Sequence, residues 1–522
     1  MKIKLFDTTL RDGTQAEDVS FTVDDKIQIA KMLDDFGIHY IEGGWPGSNP
    51  KDFDFFNEIK KISLKQAKIT AFGSTRRAKQ SCDQDSSIQS MLASEVPAAC
   101  IFGKTWDLHV TDALGISLEQ NLELIEDTVA YLKRHFDEVI YDAEHYFDGY
   151  KANPEYALKT VQAAARGGAD YVTFCDTNGG ALPWDIEQAV NAVKQQIDCA
   201  MGIHVHNDSE TAVANTLAAI RCGAAMAQGT INGIGERCGN ANLISIIPGI
   251  QLKLGYECVP EENLKKLTHL SRSVQELANM REWKNQPYTG ASAFAHKGGV
   301  HVAAVMKNSS TYEHIEPETV GNRRRVLVSD LSGRSNVRYK LQELGLEFEE
   351  KDPALAEIVE EVKRMEHEGY AYEGADASLE LLIHKVCGDV KDYFSLDGYR
   401  VIDERQKIGE EPVSEATVQL QLPSGEKVHT VSLGDGPVDA LNGALLKALT
   451  PHFPVLSDVH LTDYKVRILN SHLGTKAVTR VMIESTDGNE HWTTVGVDSD
   501  ILGASYTALV DSIQYKLYKE ST

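Results

Sequence analysis

The amino-acid sequence predicts an α/β protein: a (β/α)8 barrel of the TIM type, then a helical region, then a C-terminal α+β domain. Three observations predict it. Eight short apolar runs of strand character alternate with longer amphipathic segments through residues 2–254. Glycine recurs just past the helical segments, at Gly37, Gly168 and Gly223, where a left-handed residue ends a helix at little cost. From about residue 393 the pattern changes to two-residue alternation, the period of a half-buried strand.

Within the first 254 residues the expected strands are 3–6, 40–42, 68–72, 98–102, 139–142, 171–175, 201–204 and 226–230. Amphipathic segments at 24–36, 118–135, 154–166, 184–196 and 209–221 supply helices between them. Eight strand–helix units over about 250 residues suit a barrel. An open doubly wound sheet is the rival, and it calls for a glycine-rich phosphate turn after the first strand. Here the first strand runs instead into Arg11-Asp12-Gly13-Thr14-Gln15, which is polar and charged.

Residues 255–330, rich in Gly, His and Arg, are expected to extend the barrel over its mouth. Helices are expected at 336–344, 353–367 and 378–386, with an acidic solvated turn at 347–352. Strands follow at 399–402, 417–422, 428–433, 465–468, 478–484 and 492–497, interrupted by helices at 436–449 and 501–518. The expected domains are thus a catalytic barrel over 1–270, helical linker subdomains over 271–392 that contribute to the active site, and an α+β regulatory or dimerisation domain over 393–522.

Composition narrows the function. The chain has 522 residues, with 52 Lys+Arg against 77 Asp+Glu, a formal charge of −25. A surface of that sign repels nucleic acid and anionic membrane. Eight cysteines without a C-x-x-C pair read as reduced thiols. No apolar run is long enough for a signal peptide or a spanning helix, so a soluble cytoplasmic protein is expected.

The chemistry concentrates at the C-terminal ends of barrel strands, where such barrels build their sites. Asp12 follows the first strand. His204 and His206 sit two residues apart at the end of the seventh, so both imidazoles face one side. Only the eighth strand separates the first from the seventh. One carboxylate and two imidazoles form a facial set that leaves positions open for a chelating substrate, the pattern of a catalytic divalent ion. After the eighth strand, Asn232-Gly233-Ile234-Gly235-Glu236-Arg237-Cys238-Gly239-Asn240 brings Glu236 and Asn240 towards that ion.

These residues carry a resemblance. Leu10-Arg11-Asp12-Gly13-Thr14-Gln15 followed by Lys26, Met201-Gly202-Ile203-His204-Val205-His206-Asn207-Asp208, the 235–240 loop and Ala295-His296-Lys297-Gly298-Gly299-Val300-His301 resemble the signatures of the isopropylmalate/homocitrate/citramalate synthase family. One departure stands out: Glu210 occupies a position where that pattern usually has glycine. The resemblance spans nearly the whole chain. Residues 41–48, 142–150 and 206–210 are most similar to its long bacterial branch that condenses acetyl-CoA with pyruvate, giving citramalate and CoA for isoleucine biosynthesis. The sister branches use 2-oxoisovalerate or 2-oxoglutarate. Barrel-only relatives such as hydroxymethylglutaryl-CoA lyases lack the C-terminal domain, and an inactive metal-binding or amino-acid sensor would lack the acid/base residues.

The resemblance implies roles. Asp12, His204, His206 and Asn240 would hold a divalent metal (Mg, Mn, Co or Zn). Arg11 would bind substrate and stabilise the charge that develops during condensation. Glu42 and Thr177 would shape or bind the 2-oxo acid site. Glu144, His301 and Tyr312 would form the acid/base machinery, the proton-removing member being left open. A homodimer is implied, with isoleucine as effector of the C-terminal domain. The turn 432–437 at a helix N-terminus and the polar loop 470–475 are the expected contacts for its carboxylate and other groups.

Overall fold

The computed structural model describes residues 1–329, 333–343, 353–388, 391–404, 413–469 and 477–521. They form two compact units, Met1–Phe294 with Ile315–Arg324, and Ala295–His314 with Arg325–Thr522.

The first unit is a closed barrel of eight strands in sequence order. These are β1 (Lys4–Asp7), β2 (Tyr40–Gly44), β3 (Lys68–Ser74), β4 (Ala98–Lys104), β5 (Glu138–Glu144), β6 (Tyr171–Asp176), β7 (Ala200–Val205) and β8 (Met226–Gly229). β8 pairs with β1 in parallel, Asp7 facing Gly229, which closes the ring. Several strands run one or two residues past their apolar stretch. That extension carries polar residues such as Lys104, Glu144 and Asp176 to the C-terminal rim.

The barrel interior has two zones. Phe6, Tyr40, Phe72, Cys100, Ile140 and Met226 form an apolar plug. Towards the C-terminal ends the buried residues turn polar: Glu42, Thr70, Asp142, Thr173, His204 and Gln228. Burying these groups is costly unless each finds a partner, so this zone is built for something other than packing.

The five expected helices form, and Pro50–Ile59 and Ser86–Ala93 add to them, begun by side-chain caps from Asn49 and Asp85. Gly37, Gly168 and Gly223 all take left-handed backbone, at φ 107°, 93° and 117°. The helix expected from residue 209 begins later, at Ala212. The cause is Glu210, whose φ is 57°, outside the helical region. That conformation also accounts for the family's glycine at this position. A left-handed non-glycine residue costs about 1–2 kcal/mol, part of which glycine gives back in chain entropy. Glu210→Gly is therefore expected to leave stability unchanged or raise it by up to about 1 kcal/mol in thermal unfolding. A clear loss would mean that the Glu210 side chain itself contributes.

In the second unit, β9 (Ala295–His296) pairs in parallel with β10 (Arg325–Val326). The helices Arg334–Glu343, Pro353–His367 and Asp376–Cys387 answer to the three expected here, and Gly299–Val305 adds a short one that was not expected. Two units of identical topology come next. β11 (Ser395–Glu404), β12 (Val413–Gln421) and β13 (Lys427–Gly434) form an antiparallel sheet followed by the helix Pro437–Leu449. β14 (His460–Ile468), β15 (Thr479–Thr486) and β16 (His491–Asp498) repeat this before the helix Ile501–Ser521. Both helices and the inward faces of both sheets share one apolar core, including Val418, Leu445, Ile483 and Leu509.

At the 432–437 turn, Asp439 in the first turn of the helix accepts from the Asp435 N–H at 3.0 Å. A carboxylate of the chain itself thus occupies part of that helix terminus. The turn expected at 347–352 and the loop expected at 470–475 lie outside the described residues. Among the described residues no helix is long and apolar enough to cross a membrane.

Candidate active site

The turn after β1 is built around carboxylates. Asp7 accepts from the Thr9 N–H at 3.0 Å and from the Thr9 hydroxyl at 2.8 Å. Burial raises its carboxyl to about 7. Thr8 donates its hydroxyl to Glu42 Oε2 at 2.6 Å and accepts from the Asp12 N–H at 3.3 Å. Arg11 is thereby fixed: its Nε donates to Glu42 Oε2 at 2.6 Å, and its Cζ lies 3.7 Å from the centre of the Phe72 ring. Lys26, from the resemblance's first signature, lies away from this cluster. It is buried, donating to Gly43 O at 3.0 Å and to Asp52 Oδ1 at 2.6 Å, and so braces the end of β2.

Asp12, His204 and His206 converge as the sequence implies, with ligand atoms all within 4.8 Å of one another. His204 Nε2 lies 3.4 Å from Asp12 Oδ2, His206 Nε2 3.9 Å from the same oxygen, and the two Nε2 atoms 3.4 Å apart. β7 ends at Val205, so His206 stands just beyond it. An isolated bridge to Asn240 keeps it in extended register and on the same face as His204.

The electrostatics favour a cation. Burial works to raise the Asp12 carboxyl, but Arg11 and the two histidines override it and hold it well below the usual carboxylate range. Burial, then the neighbouring His204, push His206 down to about 4. Asp12 Oδ1 and Asn240 Oδ1 are buried and have no hydrogen-bond partner among the described residues. An anionic oxygen, imidazole lone pairs at close quarters and orphaned buried oxygens together fit a divalent ion.

Asn240 is delivered by the loop after β8. Gly239 holds φ 91°, and a Cβ there would come within 2.0 Å of Gly233 O, so only glycine allows the loop to fold back. Glu236, expected near the ion, is exposed and lies 3.5 Å from Arg237, so it is not part of the cluster. Arg237 instead ties the loop to its neighbours, donating to Asp208 Oδ1 at 2.8 Å and to Thr177 O at 2.8 Å.

Glu144 ends β5 and pairs with Lys104 at the rim. Thr177 follows β6, its hydroxyl oxygen accepting from the His145 N–H at 2.9 Å. Glu42 is fully buried; burial raises its carboxyl and Arg11 opposes that rise. His301 and Tyr312 belong to the second unit, where their exposed rings lie tilted at 30° to each other with centroids 4.2 Å apart. Asp142, Thr173 and Gln228, buried behind His204, were not expected. Their only signal is a polar residue at an inward position of an otherwise apolar strand.

Comparison with known proteins agrees with this architecture. The family model described as HMGL-like matches residues 2–274, the homocitrate synthase post-HMGL domain-like model 288–370, and the LeuA allosteric (dimerisation) domain 373–517. The (R)-citramalate synthase of Aquifex aeolicus (strain VF5) is 57% identical over 520 residues, 99% of this chain and 98% of that protein. That of Geobacter sulfurreducens is 56% identical over 517 residues, 99% of this chain and 98% of that protein. The 2-isopropylmalate synthase of Clostridium kluyveri is 32% identical over 529 residues, 100% of this chain and 97% of that protein. With an HMGL-like barrel, a LeuA-type C-terminal domain and such identity along its whole length, the chain belongs to the α-isopropylmalate/homocitrate synthase family.

Proposed function

We propose that this chain condenses acetyl-CoA with pyruvate and water to give (R)-citramalate and CoA. The observation that carries the reading is 57% identity, over 99% of this chain, to a protein of that name. The domain reading follows: a catalytic barrel over 1–270, linker subdomains over 271–392 and a regulatory domain over 393–522. Its setting is the cytoplasm and its product serves isoleucine synthesis. Eight cysteines with no C-x-x-C pair suit a reducing compartment.

In this reading Asp12, His204 and His206 hold a divalent cation, with Asn240 Oδ1 beside them. When bound, the cation supplies Lewis acidity to a chelating 2-oxo acid. Thr177 donates its hydroxyl to the pyruvate carboxylate, the lone-pair side of its oxygen already being taken by His145. Arg11, held by Glu42 and Phe72, stays charged and balances the negative charge that grows on the ketone oxygen. Glu144, His301 and Tyr312 form the acid/base set. A base takes a proton from the acetyl methyl, and the freed electron pair forms the new carbon–carbon bond at the pyruvate ketone carbon. The ketone oxygen takes up a proton and becomes the hydroxyl of the product. Water then adds to the thioester carbonyl, the carbon–sulfur bond breaks, and the sulfur leaves protonated as CoA.

The test is release of CoA thiol from acetyl-CoA with a panel of 2-oxo acids. Pyruvate is expected to give the highest kcat/KM; a clear preference for 2-oxoisovalerate or 2-oxoglutarate would reassign the chain to a sister activity.

The C-terminal domain is read as the seat of dimerisation and of feedback by isoleucine, its family model being described as allosteric. Allostery requires an effector that distinguishes two states. Millimolar isoleucine is expected to slow the full chain. Activity indifferent to isoleucine, leucine and valine would leave this domain with a structural role only.

A further inference from the structure

We propose that Gln228 is a positioning residue for the ion set: its carboxamide, oriented by Asp142, keeps the His204 proton on Nδ1 and so leaves the Nε2 lone pair facing Asp12 and His206. This rests on the metal reading above and adds to it a layer beneath the ligands.

Gln228 is completely buried on β8. Its Oε1 lies 3.0 Å from His204 Nδ1. Its Nε2 donates to Asp142 Oδ1 at 2.9 Å and to Thr173 Oγ1 at 3.2 Å. A carboxamide has one acceptor end and two N–H donors. Both donors are used towards β5 and β6, so the end that meets β7 is the acceptor. The imidazole facing it must therefore carry hydrogen on Nδ1. Its other nitrogen is the atom 3.4 Å from Asp12 Oδ2 and 3.4 Å from His206 Nε2.

Turning the amide over would set Gln228 Oε1 against Asp142 Oδ1 and an N–H against Nδ1. His204 would then have to place its proton on Nε2, and the site would lose a lone pair. Asp142 is what prevents the turn. Burial raises its carboxyl, and the nearby His204 and the hydrogen bond from Gln228 to Oδ1 oppose that rise. The residues lie on consecutive strands, with Asp142 directly opposite Thr173 in the register. Directly below them the interior is the apolar plug of Ile140, Met226 and Phe6. Partners behind a metal-ligating imidazole commonly fix its tautomer, and losing one typically costs 10–100-fold in metal affinity or activity.

The test uses the full chain and Mn²⁺ alone, with affinity measured by titration calorimetry and folding by circular dichroism. Gln228→Met keeps the shape but removes the acceptor, and is expected to weaken Mn²⁺ binding by roughly 10–100-fold. Gln228→Glu restores an acceptor towards Nδ1 and is expected to bind more tightly than Gln228→Met. A purely structural glutamine predicts the reverse order, because the glutamate sets a second buried carboxyl beside Asp142. Folded Gln228→Met with wild-type affinity, or Gln228→Glu binding more weakly than Gln228→Met, overturns the proposal. Should Gln228→Met not fold, Asp142→Ala decides: weakened binding supports the role and wild-type binding overturns it. His206→Ala is the control for the metal reading itself; if it binds Mn²⁺ as the wild type does, that reading falls first.

Discussion

Asp12→Ala, His204→Ala and His206→Ala are each expected to lower turnover by about 10³-fold or more, since a Lewis-acid ion supplies several kcal/mol of transition-state stabilisation. The three side chains converge on one point, and among the described residues no other His, Cys, Asp or Glu joins their cluster. Glu236, the acidic residue nearest in sequence to Asn240, is turned outward to Arg237. Asp12→Asn keeps the shape but loses the charge that Arg11 and the histidines sustain against burial. It is therefore expected to weaken Mn²⁺ binding markedly while folding normally. Removing metal from the wild type with a chelator is expected to abolish CoA release, and Mn²⁺ or Mg²⁺ to restore it. Full turnover by chelator-treated, metal-free protein would refute the assignment.

The sequence reveals this set because its geometry is local. Two residues apart in extended chain share a face whatever else the fold does, and the ring order of strands brings β1 near β7. The Gln228 layer was hidden for the opposite reason. Asp142, Thr173 and Gln228 meet only across consecutive strands, and no single strand records which residue will stand beside it. Glu236 misled because its neighbours decide its direction: with Gly239 folding the loop back and Arg237 reaching Asp208, the glutamate is left outside. The late start of the helix at Ala212 was equally unreadable from apolar periodicity, since it depends on one dihedral at Glu210. The two sheet-and-helix units after residue 393 share topology without a repeated sequence. Alternation of the kind seen in Ser414, Ala416, Val418 and Leu420 of β12 sets a buried face, and many sequences satisfy it. His301 and Tyr312 are different again. Nothing in composition or period marks them, and only the motif around them does.

Arg11→Gln is expected to lower kcat by roughly 10²–10³-fold at saturating metal and pyruvate, the usual loss when a donor to a developing oxyanion is removed. The reason lies in how the side chain is held. Glu42 Oε2 takes its Nε at 2.6 Å, Phe72 lies beneath the guanidinium plane, and Nη1 stands 3.4 Å from Asp12 Oδ2. Burial opposes the charge of Arg11, and Glu42 with Asp12 overcome that opposition. The cation thus costs no reorganisation when the ketone oxygen becomes negative. Arg11→Lys keeps a charge but cannot span Glu42 and the ring face with a planar fork, so it is expected to fall between wild type and Arg11→Gln. Removing the cation also leaves Glu42 buried without its partner, and some stability is lost with it. Glu42→Gln separates the two effects. It removes the buried charge but keeps an oxygen for Arg11 Nε, so it is expected to fold normally and lose less turnover than Arg11→Gln. An Arg11→Gln protein with near-normal kcat and a raised KM for pyruvate would assign the guanidinium to ground-state binding. Near-normal kcat with an unchanged KM would reduce it to a brace for Glu42.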